Sequence, residues 1–239
     1  MHEETIWPAA TELPLVLTDG VVPSLGAVDR PRTGDSLDRE RTAQPAPPAV
    51  NLRGERIAIG PLSHDLLPEY GRWLNDFAML ALIDRRFRPL TADWIETWYA
   101  RHARGVPNDM VFTLWEVDGW RPIGNAALQD IDPRNRTAEL GLFIGEAERR
   151  GRGLGTEAVR LLLGFAFGPL GLQSVMLRVF AYNETARRAY ERVGFREFGR
   201  RQRSQLRDGR FWDTIYMECL AEGFAAVAPA GDRVSTTAP

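Results

Sequence analysis

The segment from Glu139 to Gly155 constrains this chain more than any other. It opens as an apolar run, Leu140 to Ile144, suited to a buried strand, and breaks at Gly145. Gly151, Gly153 and Gly155 then alternate with other residues beside Arg149, Arg150 and Arg152. A helical run from Thr156 to Phe167 follows at once. Strand, Gly/Arg loop and helix in that order make a phosphate-binding arrangement. Glycines let backbone N–H groups approach an anion, and a helix N-terminus adds partial positive charge.

Spacing narrows the kind of loop. A nucleoside-triphosphate loop needs G-x-x-x-x-G-K-[ST], and no Lys follows these glycines. The dinucleotide pattern G-x-G-x-x-G fails as well, because the spacing here is G-x-G-x-G. The pattern [RQ]-x-x-G-x-[GA] does fit, from Arg150 to Gly155. Taken alone, it could also be an Arg/Gly-rich surface turn.

Composition excludes several classes. In 239 residues, 30 basic side chains meet 32 acidic ones, for a net charge of -2. A nucleic-acid partner calls for a basic surface, so none is expected. Cys219 is the single cysteine, which rules out an internal disulfide and a Cys-rich metal site. No metal is expected. No apolar run is long enough to span a bilayer, so no membrane association is expected. His2, Glu3 and Glu4 lack the basic-then-apolar order of a secretory signal, and the expected compartment is the cytoplasm.

Along the chain, residues 1–50 read as a Pro-rich extension, partly disordered or draped over the domain, with Pro45, Pro47 and Pro48 near its end. Such an arm could dock a partner or swap within a homodimer. The domain is expected over 51–221, with a flexible tail at 222–239. A first strand is expected at Arg56–Ile59. His64–Asn75 reads as a helix capped by Ser63, and a second helix follows Thr91. Phe77–Leu90 has no clear assignment. The aromatic residues of this region belong either to the core or to an acceptor pocket. Strands follow at Met110–Val117, Arg121–Asp130 and Thr137–Ile144, with a hairpin turn at Asp118-Gly119. After the loop and its helix come a strand at Val175–Phe180, a helix opened by Asn183 and ended by Gly194, and two strands joined at Asp208-Gly209.

Several of these segments carry a family resemblance. Arg150–Gly155 resembles the coenzyme A pyrophosphate loop of the GNAT superfamily of N-acetyltransferases. Asn183-x-x-Ala186-x-x-x-Tyr190-x-x-x-Gly194-Phe195 resembles that family's fourth-helix motif, one helix and one strand downstream as the family order requires. Arg207-Asp208-Gly209-Arg210 with Asp213, and Trp73-Leu74-Asn75-Asp76, resemble the Rim-type branch, which acetylates ribosomal-protein N-termini. The resemblance covers Leu52 to Ala221. It implies an α/β (α+β) fold, a mixed and mostly antiparallel sheet whose two central strands splay apart to admit acetyl-CoA.

The resemblance also implies roles. Leu142, Phe143 and Ile144 would present a strand edge to pantetheine, with the N–H near Phe143 or Ile144 on the thioester carbonyl. Arg149, Arg150, Gly151, Arg152, Gly153, Leu154, Gly155 and Thr156 would hold the pyrophosphate, although Arg149 and Arg152 could be ordinary solvated charges. Asn183 would cap its helix and bond pantetheine, beside Ala186. Tyr190 would serve the departing thiolate, unless it only packs between helix and sheet. Glu139 would take the amine proton through water, or else be a strand Glu paired with an Arg. Cys219 lies outside these motifs, so transfer is expected to be direct. The expected acceptor is a small-molecule primary amine such as an amino sugar or polyamine, with a protein α-amine as the alternative. A non-catalytic CoA-binding module is the reading from a different class. A lone base suits an amine of modest basicity. An α-amine titrates near 7.7–8.0, an alkyl ammonium near 10.4.

Overall fold

The computed structural model describes residues 47–83 and 88–227. The expected N-terminal extension lies almost wholly outside the described residues, as does most of the expected tail. Eight strands form one sheet: β1 (Leu52–Arg53), β2 (Ile57–Pro61), β3 (Met110–Glu116), β4 (Arg121–Asp132), β5 (Thr137–Ile144), β6 (Ser174–Phe180), β7 (Arg196–Arg207) and β8 (Arg210–Leu220). Their order is β1-β2-β3-β4-β5-β6-β8-β7. Every neighbouring pair is antiparallel except β5 and β6, which run parallel. The helices are α1 (Leu67–Leu74), α2 (Phe77–Ile83), α3 (Ala92–Ala103), α4 (Leu154–Phe167), α5 (Glu184–Val193) and α6 (Ala221–Val227). Among the described residues, no helix is long and apolar enough to cross a membrane.

Strand alternation sorts the helices between two faces. Ala138 and Leu140 of β5, Leu177 and Val179 of β6, and Ile215 and Met217 of β8 are buried in one cluster. Ala158, Val159, Leu162, Leu163 and Ala166 of α4 fill that cluster, which explains why this helix is apolar on so many sides. The alternate residues face α1 and its neighbours. Phe143 meets Trp73 edge-on at 6.3 Å between centroids, and the Tyr70 hydroxyl shares a 2.6 Å hydrogen bond with Thr113.

Local signals account for most element ends. Thr91 caps α3 by accepting from the Trp94 N–H at 3.2 Å. Asn183 caps α5 through the Ala186 N–H at 3.3 Å, and Gly194 ends it in the left-handed region. Asp208 and Gly209 both take positive φ, 51° and 71°, as a two-residue hairpin turn demands.

Three expectations change. Ser63 makes no side-chain cap. The chain enters through a short 3-10 turn, His64–Leu66, and Pro68 then starts α1, where its missing N–H costs nothing. The left-handed residues of the β3–β4 turn are Gly119 and Trp120, so the bend falls one residue later than Asp118-Gly119. Finally, the chain stays ordered past Ala221. Helix α6 returns Phe224 to the core, 8% exposed and 5.5 Å from the Phe167 ring centroid. Phe224→Ala should therefore lower stability by about 3 kcal/mol, read from the urea midpoint, because it empties a buried aromatic site. A change within 0.5 kcal/mol or so would make α6 an ornament.

Candidate functional site

The site begins with a mismatch in strand pairing. Parallel strands β5 and β6 pair over Thr137–Glu139 and Ser174–Met176, and then part. Beyond the fork, β5 keeps β4 on one side and, among the described residues, has no strand on the other. The direction of each amide follows from alternation. The Gly145 N–H donates to the Ile123 carbonyl at 2.7 Å, so residues two and four before it also turn toward β4. Phe143 thus spends its backbone groups within the sheet. Leu142 and Ile144 turn theirs into the gap. This corrects the Phe143 half of the expected pair: its N–H faces β4, and its ring packs on Trp73.

At the end of β5 the chain makes the Gly/Arg loop. Gly151 and Gly153 take φ of 73° and 81°, a region that favours glycine. Gly153 is the N-cap of α4 and offers no side chain to close it. The first-turn N–H groups, from Leu154, Gly155 and Thr156, are left open to an anion. The Leu154 side chain is buried, so this residue contributes backbone alone. A Cβ on Gly155 would stand 3.6 Å from Leu142 and 3.8 Å from Ile144, so the helix start lies directly over the gap-facing residues.

The arginines divide their work in a way spacing could not show. Arg150 turns back to β5, donating from Nε to the Ile144 carbonyl at 2.8 Å and from Nη2 to the Gly145 carbonyl at 2.9 Å. It also lies 3.7 Å from Asp76. Arg149 pairs with Glu116 at 3.2 Å. Both side chains hold the loop in place, and the positive charge left exposed there is Arg152. Arg56, which the sequence reading passed over, straps the loop from the far side. Its Nη1 donates to the Arg152 carbonyl at 3.0 Å and its Nε pairs with Glu157 at 3.1 Å. Glu157 also accepts from the Arg56 and Ile57 N–H groups, at 2.7 and 3.2 Å. About a hundred residues separate these partners, so no local pattern could have revealed them.

Glu139 stands where the fork closes, on the α1 face of the sheet. It is buried and meets Arg178 of β6 through two bonds, 2.8 Å from Nε and 3.3 Å from Nη2. Burial raises its carboxyl above the ordinary range, with Arg178 opposing that shift. Tyr190 lies on α5, on the opposite face. Its ring packs against the core and meets Phe195 at 5.8 Å, and desolvation pushes its hydroxyl up to about 12. Asn183 and Ala186 sit at the start of the same helix, their contact being the cap itself. The loop and gap-facing residues thus form one cluster, Tyr190 packs on the core beside Phe195, and Glu139 lies at the vertex of the fork.

A second group missed by the sequence reading fixes the end of β5. Glu146 accepts from the Trp73 indole at 2.8 Å and from Arg72, and the Arg72 bond holds its carboxyl below the usual range. Among the described residues, no cluster of His, Cys, Asp and Glu could hold a metal ion.

Gly153→Asp tests the loop. The new carboxylate would stand at an uncapped helix start where an anion is to bind. The expected result is an acetyl-CoA Kd raised by about 100-fold or more, with the circular dichroism spectrum retained. Unchanged affinity by calorimetry would remove the loop from the site.

Known proteins resemble this chain in sequence and in fold. The family profile of the acetyltransferase (GNAT) domain matches residues 56–196. The "Putative ribosomal N-acetyltransferase YdaF" of Bacillus subtilis (strain 168) is 35% identical over 97 residues, 41% of this chain and 52% of its own. The chain thus spans about half the length of that relative. The "SPbeta prophage-derived uncharacterized N-acetyltransferase YokL" of the same organism is 28% identical over 149 residues, 62% of this chain and 82% of its own. Among solved structures, the spermidine N-acetyltransferase of Vibrio cholerae in complex with CoA and spermine superposes with a TM-score of 0.65 at 22% identity, over 71% of this chain and 98% of that one. At that identity the likeness shows the fold. With the profile spanning more than half of its length, the chain belongs to the GNAT family of acetyltransferases.

Proposed function

We propose that the protein transfers the acetyl group of acetyl-CoA directly to the primary amine of a small molecule. One observation carries this reading: the unpaired edge of β5 runs straight into an uncapped helix start. An extended chain of amides ending in a pyrophosphate fits both together. The gap-facing groups of Leu142 and Ile144 suit pantetheine, although the Ile144 carbonyl is already held by Arg150. Leu154, Gly155 and Thr156 suit the phosphates, with Arg152 adjacent. The Leu142 N–H, farther from the phosphates than Ile144 and nearer Glu139, is the natural donor to the thioester oxygen as negative charge develops there.

The transfer forms an N–C bond and breaks a C–S bond. The amine must attack as the free base, and its proton goes to Glu139 through water. Burial raises that carboxyl toward the range a base needs at neutral pH. The departing sulfur carries the electron pair. Tyr190, held at about 12, stays neutral and donates a hydrogen bond to it. Full proton transfer to a thiolate of ordinary pKa, about 8.5, would run uphill, so the thiolate takes its proton from solvent.

A panel of primary amines with acetyl-CoA, followed by free-thiol release, tests the reaction. Amino sugars and α-amines are expected to outrun simple alkyl diamines, whose neutral form is scarcer at pH 7. Acetyl-CoA binding with no turnover of any amine would instead make the protein a CoA-binding module. Tyr190→Phe removes only the hydroxyl and should lower kcat by about 100-fold with little change in the KM for acetyl-CoA. A kcat close to wild type would release Tyr190 from this role.

The bidentate bond to Arg178 favours a second reading for Glu139, as the clamp of the fork. The pH profile separates the two. Wild-type activity should fall as acid protonates Glu139, with the limb above the ordinary carboxylate range because the pKa is raised. For Glu139→Gln the deficit should be largest near neutrality and shrink toward about pH 9.5, where solvent has already freed the amine. A constant deficit across that range assigns Glu139 to the clamp alone.

A further inference from the structure

The β7–β8 hairpin extends past the end of β6. Thr214 is the β8 partner of Phe180, the last residue of β6, so Arg210 to Asp213 and the facing part of β7 overhang the open end of the fork. Tyr182 occupies the turn between β6 and α5. Its hydroxyl donates to the Ala81 carbonyl of α2 at 2.5 Å. Its ring meets Phe180 at 5.3 Å and Trp212 edge-on at 5.8 Å. These rings make an aromatic floor on the α2 side of the mouth, where an acceptor must enter.

Two guanidinium groups lie on that floor. Arg207 stands 4.6 Å from the Tyr182 centroid and Arg210 stands 4.1 Å from the Trp212 centroid. A guanidinium over a ring is held through its face and keeps N–H donors around its edge; Arg207 spends part of that edge on the Tyr182 hydroxyl, which accepts from it. Nearby carboxylates do not consume them. Asp213 is taken by Arg200 at 3.2 Å and by the Arg203 N–H at 2.8 Å. Arg207 touches Asp208 at 3.4 Å, but that carboxylate is 90% exposed at the hairpin tip and binds weakly. Arg210 has no carboxylate partner among the described residues. From Arg196 to Arg210 the chain carries six arginines against Glu197 and Asp208, so the field at this mouth is positive.

We infer that the acceptor amine also bears an anionic group, a carboxylate or a phosphate, which Arg207 and Arg210 receive together. This rests on the acetyl-transfer reading above and narrows it. Two forks pre-set on rings match a planar carboxylate or a phosphate edge and lose little freedom on binding. The same charges repel a polyamine. A polyamine is therefore not the expected acceptor, although the fold resembles that of a spermidine N-acetyltransferase.

The test uses matched acceptors: glucosamine and glucosamine 6-phosphate, ethanolamine and O-phosphoethanolamine, alaninamide and alanine, with spermidine as the polycation. In wild type, the anionic member of the productive pair should lead in kcat/KM by about 30-fold, mostly through KM. In the folded double variant Arg207→Gln/Arg210→Gln, that ratio should fall toward about 1, while the Kd for acetyl-CoA is retained. Leadership by spermidine or by the neutral members, or a ratio that survives the double substitution, overturns the assignment. Should acetyl-CoA bind and no amine react, the transfer reading fails by itself. The subsite is then decided by calorimetric titration of inorganic phosphate into CoA-saturated protein. Binding lost in the double variant upholds it, and equal binding in both proteins overturns it.

Discussion

Two parallel strands that pair over three residues and then separate leave main-chain donors and acceptors with nothing opposite them. A buried strand edge of that kind is costly unless water or a ligand completes it. The geometry of this protein is arranged around keeping that edge open. Glu139 and Arg178 join β5 to β6 at the vertex. Arg150 occupies the carbonyls at the far end of β5, and Glu146 fixes the next residue against Trp73 and Arg72. The stretch between these ties, Leu140 to Ile144, is extended, paired with β4 on one side and, among the described residues, with no strand on the other, where Arg150 holds the Ile144 carbonyl.

The same ties explain why the loop can be rich in glycine without collapsing. Left-handed glycines lower the steric cost of the turn and raise its conformational entropy. Arg56 offsets that freedom by holding the Arg152 carbonyl, and Glu157 ties the first turn of α4 to the backbone of Arg56 and Ile57. A close steric limit acts as well, because a Cβ on Gly145 would overlap the Trp73 ring. The loop conformation proposed to receive the phosphates is thus held by contacts within the chain itself, which reduces the ordering cost on binding.

The fold was legible where a local signal reports a local constraint. The strand register from Thr137 to Ile144, the caps at Thr91 and Asn183, and the turn at Asp208-Gly209 are each set by residues within a few positions. Helix α6 was not legible, because Ala221 to Val227 is short and its single anchor, Phe224, needs Phe167 to have a meaning. For the site, glycine spacing located the loop, whereas the direction of each arginine depended on partners elsewhere in the fold. Arg149 and Arg152 are three residues apart with the same charge, yet Glu116 on β3 claims the first and leaves the second exposed. Backbone direction was equally hidden. Only the bond from Gly145 to Ile123 shows that Ile144 faces the gap and Phe143 does not.

One chemical feature runs through all of these contacts: all 30 of the Lys/Arg positions in the chain are arginine, and lysine does not occur. Arginine holds carbonyls and carboxylates through several N–H groups at once and keeps its charge at any pH the fold survives. It is also a poor nucleophile toward thioesters, because its lone pairs are delocalised and the group stays protonated. A protein proposed to hold an acetyl thioester therefore offers it no lysine side-chain amine from its own sequence. The cradle can be strongly cationic without becoming a substrate for what it holds.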